Sequence, residues 1–140
     1  MQLAAEAIIG HAPAPASQVP ASLTEDAFLG GRLRVLQPEK GYRAGIDAVF
    51  LAASIPAAAG ETVFEAGIGV GVAALCLIAR NPAIHVTGIE VVARYAMMCE
   101  ENAKRNGFAQ LLKVIHADVK DAMRRDLAHL PQHGTFAHAY

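Results

Sequence analysis

The feature that most constrains this chain is the run Phe64-Glu65-Ala66-Gly67-Ile68-Gly69-Val70-Gly71, which joins an apolar segment to an Ala- and Leu-rich one. Residues 62–66 read as a buried strand and residues 72–80 as a compact helix. Glycine at every second position between them lets the main chain turn sharply and approach another group closely, because no Cβ intervenes. The helix after the turn starts in the same crevice with its free amides pointing outward. Ordinary surface turns also produce such a glycine pattern, so its weight depends on the residues downstream.

Downstream of the turn, strands and helices alternate. Asn81-Pro82 breaks the helix, residues 85–90 supply a second strand, and a longer helix spans 92–105 until Asn106-Gly107 ends it. On that helix Glu100, Glu101, Lys104 and Arg105 are expected to face water, with Ala93, Ala96, Met97 and Ala103 inward. Residues 112–117 read as a third strand, 119–130 as a third helix and 135–140 as the start of a fourth strand. Three strand–helix units at this spacing predict an α/β fold, a doubly wound parallel sheet with right-handed crossovers. Read this way the sheet is incomplete, because the sequence stops as the fourth strand begins. An exposed parallel edge leaves backbone groups unpaired, so a homo-oligomer formed through that edge is a further expectation.

Three segments are expected along the chain: an Ala/Pro-rich arm over 1–22, a pre-sheet segment over 23–60 and the α/β unit over 61–140. Pro13, Pro15 and Pro20 prevent a continuous helix in the arm. In the pre-sheet segment, residues 32–37 alternate polar and apolar side chains, the signature of a strand with one buried face. Pro38 ends that strand and Gly41 begins a turn. Gly45 and Asp47 then introduce Ala48, Leu51, Ala52 and Ile55, an apolar stripe of helical spacing closed by Pro56 and Gly60.

Composition narrows the function classes. Twelve Lys plus Arg against 13 Asp plus Glu give a net charge of -1, which excludes a strongly basic nucleic-acid arm. Modest basic clusters remain at Arg32, Arg34, Lys40 and Arg43 and at Arg124-Arg125. With 54% hydrophobic and 18% charged residues the chain is expected to fold rather than remain disordered. Two cysteines do not make a disulfide scaffold, and Cys76 and Cys99 read as small packing residues. No apolar run reaches the roughly 20 residues that cross a bilayer. The six histidines lack compact ligand spacing. A cytoplasmic protein with no membrane and no metal is the expectation.

Glu90 strengthens the glycine signal. It ends the second strand 23 residues after Gly67, a position that overhangs the glycine turn in a strand–helix–strand unit. A carboxylate there can accept both hydroxyls of a ribose. Asp118 follows the third strand similarly and is suited either to an adenine amino group or to capping the next helix. Glu65 bears on the choice of ligand. A carboxylate two positions ahead of Gly67 repels a pyrophosphate but supports a positively charged ammonium group, which favours S-adenosyl-L-methionine over a dinucleotide.

Taken with the runs Thr24-Glu25-Asp26-Ala27-Phe28-Leu29-Gly30-Gly31-Arg32 and Gln37-Pro38-Glu39-Lys40-Gly41-Tyr42-Arg43-Ala44-Gly45-Ile46-Asp47-Ala48, these residues resemble the class I S-adenosylmethionine-dependent methyltransferases. Within that class they are similar to the bacterial small-domain enzymes that methylate an adenine N6 of the valine-accepting tRNA, a group often described only as O-methyltransferases. The resemblance covers residues 23–140. It implies a Rossmann-like fold, S-adenosyl-L-methionine as cofactor and tRNA as partner of the full-length protein. It places Glu65, Gly67, Gly69 and Gly71 in the donor loop, Glu90 at the ribose and Asp118 near the adenine. Gly45 and Asp47 match a segment folded over the donor near its methyl group, though a turn and a helix cap explain them equally well.

One departure stands out. The family's Asn-Pro-Pro-aromatic motif, which gathers the target amine, occurs nowhere in the sequence; Phe136-Ala137-His138-Ala139-Tyr140 resembles only the strand leading to it. The catalytic residues are therefore unassigned, and these 140 residues alone are expected to be inactive. Two alternatives stay open: an O- or N-methyltransferase of a small molecule or protein, and a truncated, non-catalytic interaction module.

Overall fold

The computed structural model describes residues 22–124 and 137–140. The expected arm, apart from Ser22, and the second half of the helix expected over 119–130 lie outside the described residues. The elements run β1 (Leu23–Phe28), a 3-10 turn (Leu29–Gly31), β2 (Leu33–Pro38), α1 (Ile46–Ser54), β3 (Thr62–Ala66), α2 (Val72–Arg80), β4 (His85–Glu90), α3 (Ala93–Arg105), β5 (Leu112–His116), α4 (Val119–Arg124) and β6 (His138–Ala139).

Strands β5, β4, β3 and β6 form one parallel sheet in that spatial order. The chain winds outward from β3 to β5 and then returns to the other side of β3. This reversal makes the carboxyl ends of β3 and β6 a topological switch point, where open α/β sheets leave a crevice for ligands. The expected doubly wound sheet is therefore present.

Register explains which residues share a face. Val63, Val86 and Leu112 lie level across β3, β4 and β5, and Glu65, Gly88 and Val114 lie level two residues on. Every residue of α2 from Val72 to Ile78 is buried. Its uninterrupted apolar run fits a helix covered on all sides rather than an amphipathic one. Full burial of each large aliphatic side chain, such as Leu75, Leu77 and Ile78, contributes about 1.5–3 kcal/mol.

Two helical faces differ from expectation. On α3, Met97 is 65% exposed and Ala93 is also exposed, whereas Met98, Cys99 and Asn102 join Ala96 and Ala103 inside. The inward stripe includes a polar residue, Asn102, and counting only apolar side chains rotates the expected face. On α1, Ala48 and Ala52 point inward, and Ile55 is buried just beyond its end, but Leu51 is 41% exposed. It stands at the rim of a cavity at the carboxyl end of the sheet.

β1 has no counterpart in the sequence-based expectation. It pairs antiparallel with β2 from Leu23↔Pro38 to Phe28↔Leu33. None of its residues is fully buried, so it carries no hydrophobic alternation to recognise. The opposite edge of β2 is closed by the side chains of Asn102 on α3 and of Asn106 just after it.

Candidate functional site

The turn after β3 is built on its neighbour. The N–H groups of Gly67 and Ile68 both donate to the Ile89 carbonyl, at 2.9 and 3.0 Å. Gly67, Gly69 and Gly71 adopt φ of 73°, 58° and 91°, the left-handed region that side chains rarely enter. Their surroundings differ. A Cβ on Gly67 would meet nothing within 4 Å, whereas one on Gly71 would lie 2.6 Å from Cys99 Sγ. Gly67 is therefore open to the crevice, and Gly71 is the point where α2 packs on α3. Gly69 sits beneath the Tyr42 ring, 3.7 Å from where its Cβ would be.

Glu90 reaches this turn from the end of β4. Its Oε2 accepts from the Gly69 N–H at 2.9 Å and its Oε1 from the Val92 N–H at 2.8 Å. The carboxylate thus braces the turn, and each oxygen keeps a second lone pair. The Ala117 N–H donates to the Glu90 carbonyl at 3.0 Å, which sets Asp118 beside the same strand end. Asp118 is exposed and caps α4, its Oδ1 accepting from the Lys120 N–H at 2.8 Å. Val91, 59% exposed, lies between these two acids in sequence and at the same edge.

A cavity of about 170 Å³ opens at the carboxyl ends of β3 and β6, lined among others by Tyr42, Asp47, Leu51, Glu65, Gly67 and Tyr140. The structure brings Glu65, Gly67 and Asp47 together there; Gly45, Gly69, Gly71, Glu90 and Asp118 do not line it. Gly45 is the residue before α1, and its N–H donates to Asp47 Oδ1 at 2.9 Å, so Asp47 closes its own turn.

Glu65 is only 6% exposed. Tyr140 Oη donates to its Oε2 at 2.9 Å. Burial pushes the Glu65 carboxyl up to about 7, while the Tyr140 hydroxyl and the Ala74 amide favour its ionised form. Burial first, and then the Glu65 charge, raise the Tyr140 phenol above its ordinary range.

The loop that carries Tyr42 is fixed from below. Buried Gln37 accepts from the Ala44 N–H at 2.8 Å and donates to the Ala44 carbonyl at 3.1 Å and to Asp26 Oδ2 at 2.9 Å. Arg43 donates to Thr24 Oγ1, the Pro38 carbonyl and Asp26 Oδ2, at 2.7, 2.7 and 2.6 Å. Arg43 therefore ties the loop to the hairpin.

A larger depression of about 500 Å³ lies between α3 and the amino-terminal halves of β4 and β5, with Lys104 and Lys113 on its walls. It is at the opposite end of the strands from the glycine turn, where open α/β sheets do not place their ligands.

The family model for the methyltransferase small domain matches residues 43–130. The chain belongs to that family. Two curated relatives of this methyltransferase domain are named tRNA1(Val) (adenine(37)-N6)-methyltransferase. The one from Flavobacteriaceae bacterium (strain 3519-10) is 29% identical over 64% of this chain and 38% of its own length. The one from Proteus mirabilis (strain HI4320) is 30% identical over 71% of this chain and 40% of its own. The chain thus spans about two fifths of the length of these relatives.

Solved structures agree on the fold. A geranyl diphosphate methyltransferase in complex with SAM superposes with a TM-score of 0.56 at 21% identity, covering 66% of this chain and 35% of that one. An RNA methyltransferase from Salinibacter ruber in complex with S-adenosyl-L-homocysteine gives 0.50 at 20%, covering 58% and 53%. The domain therefore has the Rossmann-like fold of class I methyltransferases.

Two residues of the site escape a reading of the sequence. Gly88 lies under the turn, and a Cβ there would fall 2.3 Å from Ile68 Cδ1. Its signal is present, since glycine inside a strand marks close approach of another group. Tyr140 reads from sequence only as a strand-end aromatic, and nothing in its spacing from Glu65 announces their contact.

Proposed function

We propose that this domain binds S-adenosyl-L-methionine as the donor module of a methyltransferase whose acceptor, in the whole protein, is an adenine N6 of tRNA. The observation that carries the donor assignment is Glu65, a buried carboxylate at the wall of the switch-point cavity. No Lys or Arg is among the cavity's described lining residues. An ammonium group is the partner such an acid lacks.

The remaining residues fit the rest of the donor. The cavity volume, about 170 Å³, is below the roughly 300 Å³ at which small-molecule sites begin, so it suits the amino-acid end alone. Ribose and adenine then lie outside it, past the open side of Gly67. Glu90 is only 6% exposed, so in this reading the ribose hydroxyls approach the second lone pairs of its carboxylate from the open side of the turn, with Val91 and Asp118 flanking the base. Gly45 and Asp47 border the methyl end, and Gly69 and Gly71 keep the turn in shape. The donor supplies an already activated sulfonium methyl, so this module's share of the reaction is to hold and orient it. Support for the acceptor comes from the names of the two curated relatives.

Titration calorimetry with S-adenosylhomocysteine tests the donor assignment. Saturable binding that weakens at least tenfold in Glu65→Gln is expected; a folded chain that binds nothing would refute it. Labelled methyl transfer by the whole protein to a valine tRNA transcript tests the acceptor. Transfer to a small molecule or protein in place of tRNA would remove the nucleic acid from the proposal.

A further inference from the structure

We propose that Tyr140 is a positioning residue for donor capture: its phenol, held at the end of β6, fixes the Glu65 carboxylate at the cavity wall, where the donor's ammonium group would meet it. The inference rests on the donor assignment and adds to it a residue that no motif identifies.

The geometry starts with the backbone. β6 pairs with β3 through Val63↔His138 and Phe64↔Ala139. The Tyr140 N–H then donates to the Phe64 carbonyl at 3.0 Å, and the Tyr140 carbonyl accepts from the Ala66 N–H at 2.8 Å. These two bonds flank Glu65 and fix the Tyr140 main chain beside it. Its hydroxyl donates to Glu65 Oε2 at 2.9 Å, and both side chains line the same cavity. A phenol proton given to a carboxylate favours the ionised form, the one an ammonium group needs.

Among the described residues, the groups around Glu65 offer no competing cation. From α2 comes the Ala74 amide, from α3 Cys99, from α1 Asp47 and from the loop before it Tyr42, while Cys76 of α2 lies near enough to act on the Tyr140 phenol. Burial pushes the Cys76 thiol up to about 11 and Cys99 above its ordinary range, so both stay neutral near pH 7. With the Glu65 carboxyl itself near 7, donor affinity should climb as pH rises through neutrality and then level off.

The test compares wild type with Tyr140→Phe by calorimetry between about pH 6 and 8.5, using two probes. S-adenosylhomocysteine carries the amino-acid end, and 5′-methylthioadenosine lacks it. Loss of the phenol proton raises the Glu65 carboxyl further, so the climb in S-adenosylhomocysteine affinity moves to higher pH. The expected result at pH 7 is about tenfold weaker binding of that probe, narrowing toward wild type at the alkaline end. Binding of 5′-methylthioadenosine should not change. Both proteins meet the same ligand, so its own ionisation cancels. Glu65→Gln should abolish the pH climb altogether.

An unchanged profile in Tyr140→Phe, or equal weakening of both probes at every pH, would overturn the role of Tyr140 and leave the donor assignment standing. If wild type binds neither probe, the donor assignment itself fails, and this inference with it.

Discussion

Asn102 closes both backbone hydrogen-bonding groups of Leu36 as a neighbouring strand would. Its Oδ1 accepts from the Leu36 N–H at 2.8 Å and its Nδ2 donates to the Leu36 carbonyl at 3.0 Å. The same Nδ2 donates to the Val70 carbonyl at 3.0 Å. One helical turn on, Asn106 accepts from the Arg34 N–H at 3.0 Å and donates to the Arg34 carbonyl at 2.8 Å. Asn102 and Asn106, the residue that ends α3, thereby pair the free edge of β2, and Asn102 ties the hairpin to the glycine turn. With its oxygen and both protons engaged, the amide's hydrogen bonds offset the cost of taking it out of water, which is how a fully buried Asn102 is tolerated.

Asn102→Ala removes all three bonds and strands the part-buried main-chain groups of Leu36 and the buried carbonyl of Val70. A buried unsatisfied group costs about 1–3 kcal/mol and water can reach the part-buried Leu36 groups, so a loss near the low end for three groups, roughly 3 kcal/mol, is expected in urea unfolding. Asn106→Ala should cost less, because its bonds to Arg34 lie at the surface, where water replaces them. Equal losses for the two variants would show that the strand-like pairing at Leu36 contributes nothing special.

Gly71 and Cys99 should be coupled. Gly71→Ala forces a residue with a Cβ into φ of 91° and brings that Cβ to 2.6 Å from Cys99 Sγ. About 1–2 kcal/mol arises from the left-handed backbone and a further 1–3 kcal/mol from overpacking. Cys99→Ala removes the sulfur, so in the double variant only the overpacking part should be relieved. A double-mutant cycle on unfolding free energies reads this directly. Strict additivity would mean that the two helices separate freely at that point.

Gly88→Ala should act on the turn from beneath. The new Cβ would lie 2.3–2.9 Å from three Ile68 side-chain atoms, too close to keep without moving the residue between Gly67 and Gly69. Destabilisation of about 1–3 kcal/mol is expected, together with weaker S-adenosylhomocysteine binding. Ile68→Val should recover part of both losses. A fully stable Gly88→Ala with unchanged affinity would contradict this packing.

How far the sequence announces this structure depends on what each element buries. The strands and helices between Thr62 and His116 end within a residue or so of their expected bounds, because apolar runs of the right length are punctuated by Gly67, Asn81-Pro82 and Asn106-Gly107. β1 is invisible for the opposite reason: it is stabilised by pairing with β2, not by a buried face. Apolar spacing misplaces the inward face of α3 at Met97 because burial of Asn102 depends on carbonyls and amides from distant segments. At the site, acids at three adjacent strand ends are legible as a pattern. That Glu90 spends bonds on Gly69 and Val92, or that Tyr140 meets Glu65, depends on loop paths and strand order that spacing along one chain does not encode.

The buried Glu65 carboxyl also makes the stability of the domain depend on pH. In the unfolded chain the Glu65 carboxyl titrates near 4.5; in the folded domain burial raises it to about 7. Between those values the folded protein keeps a proton that the unfolded chain has released. The associated stability is therefore complete below about pH 4.5 and is lost as pH rises through about 7. The loss amounts to about 3 kcal/mol. Ligand-free protein should accordingly show a lower urea midpoint at pH 8 than at pH 5. Glu61, held below its ordinary value by the Ala58 amide and His138, gives the opposite slope, but at more acid pH, outside this window. Glu65→Gln stays neutral throughout and still accepts the Tyr140 hydroxyl, so the wild-type-minus-variant difference isolates this one carboxyl. If both proteins lose the same stability between pH 5 and 8, the slope belongs to other groups and Glu65 is not buried as an acid.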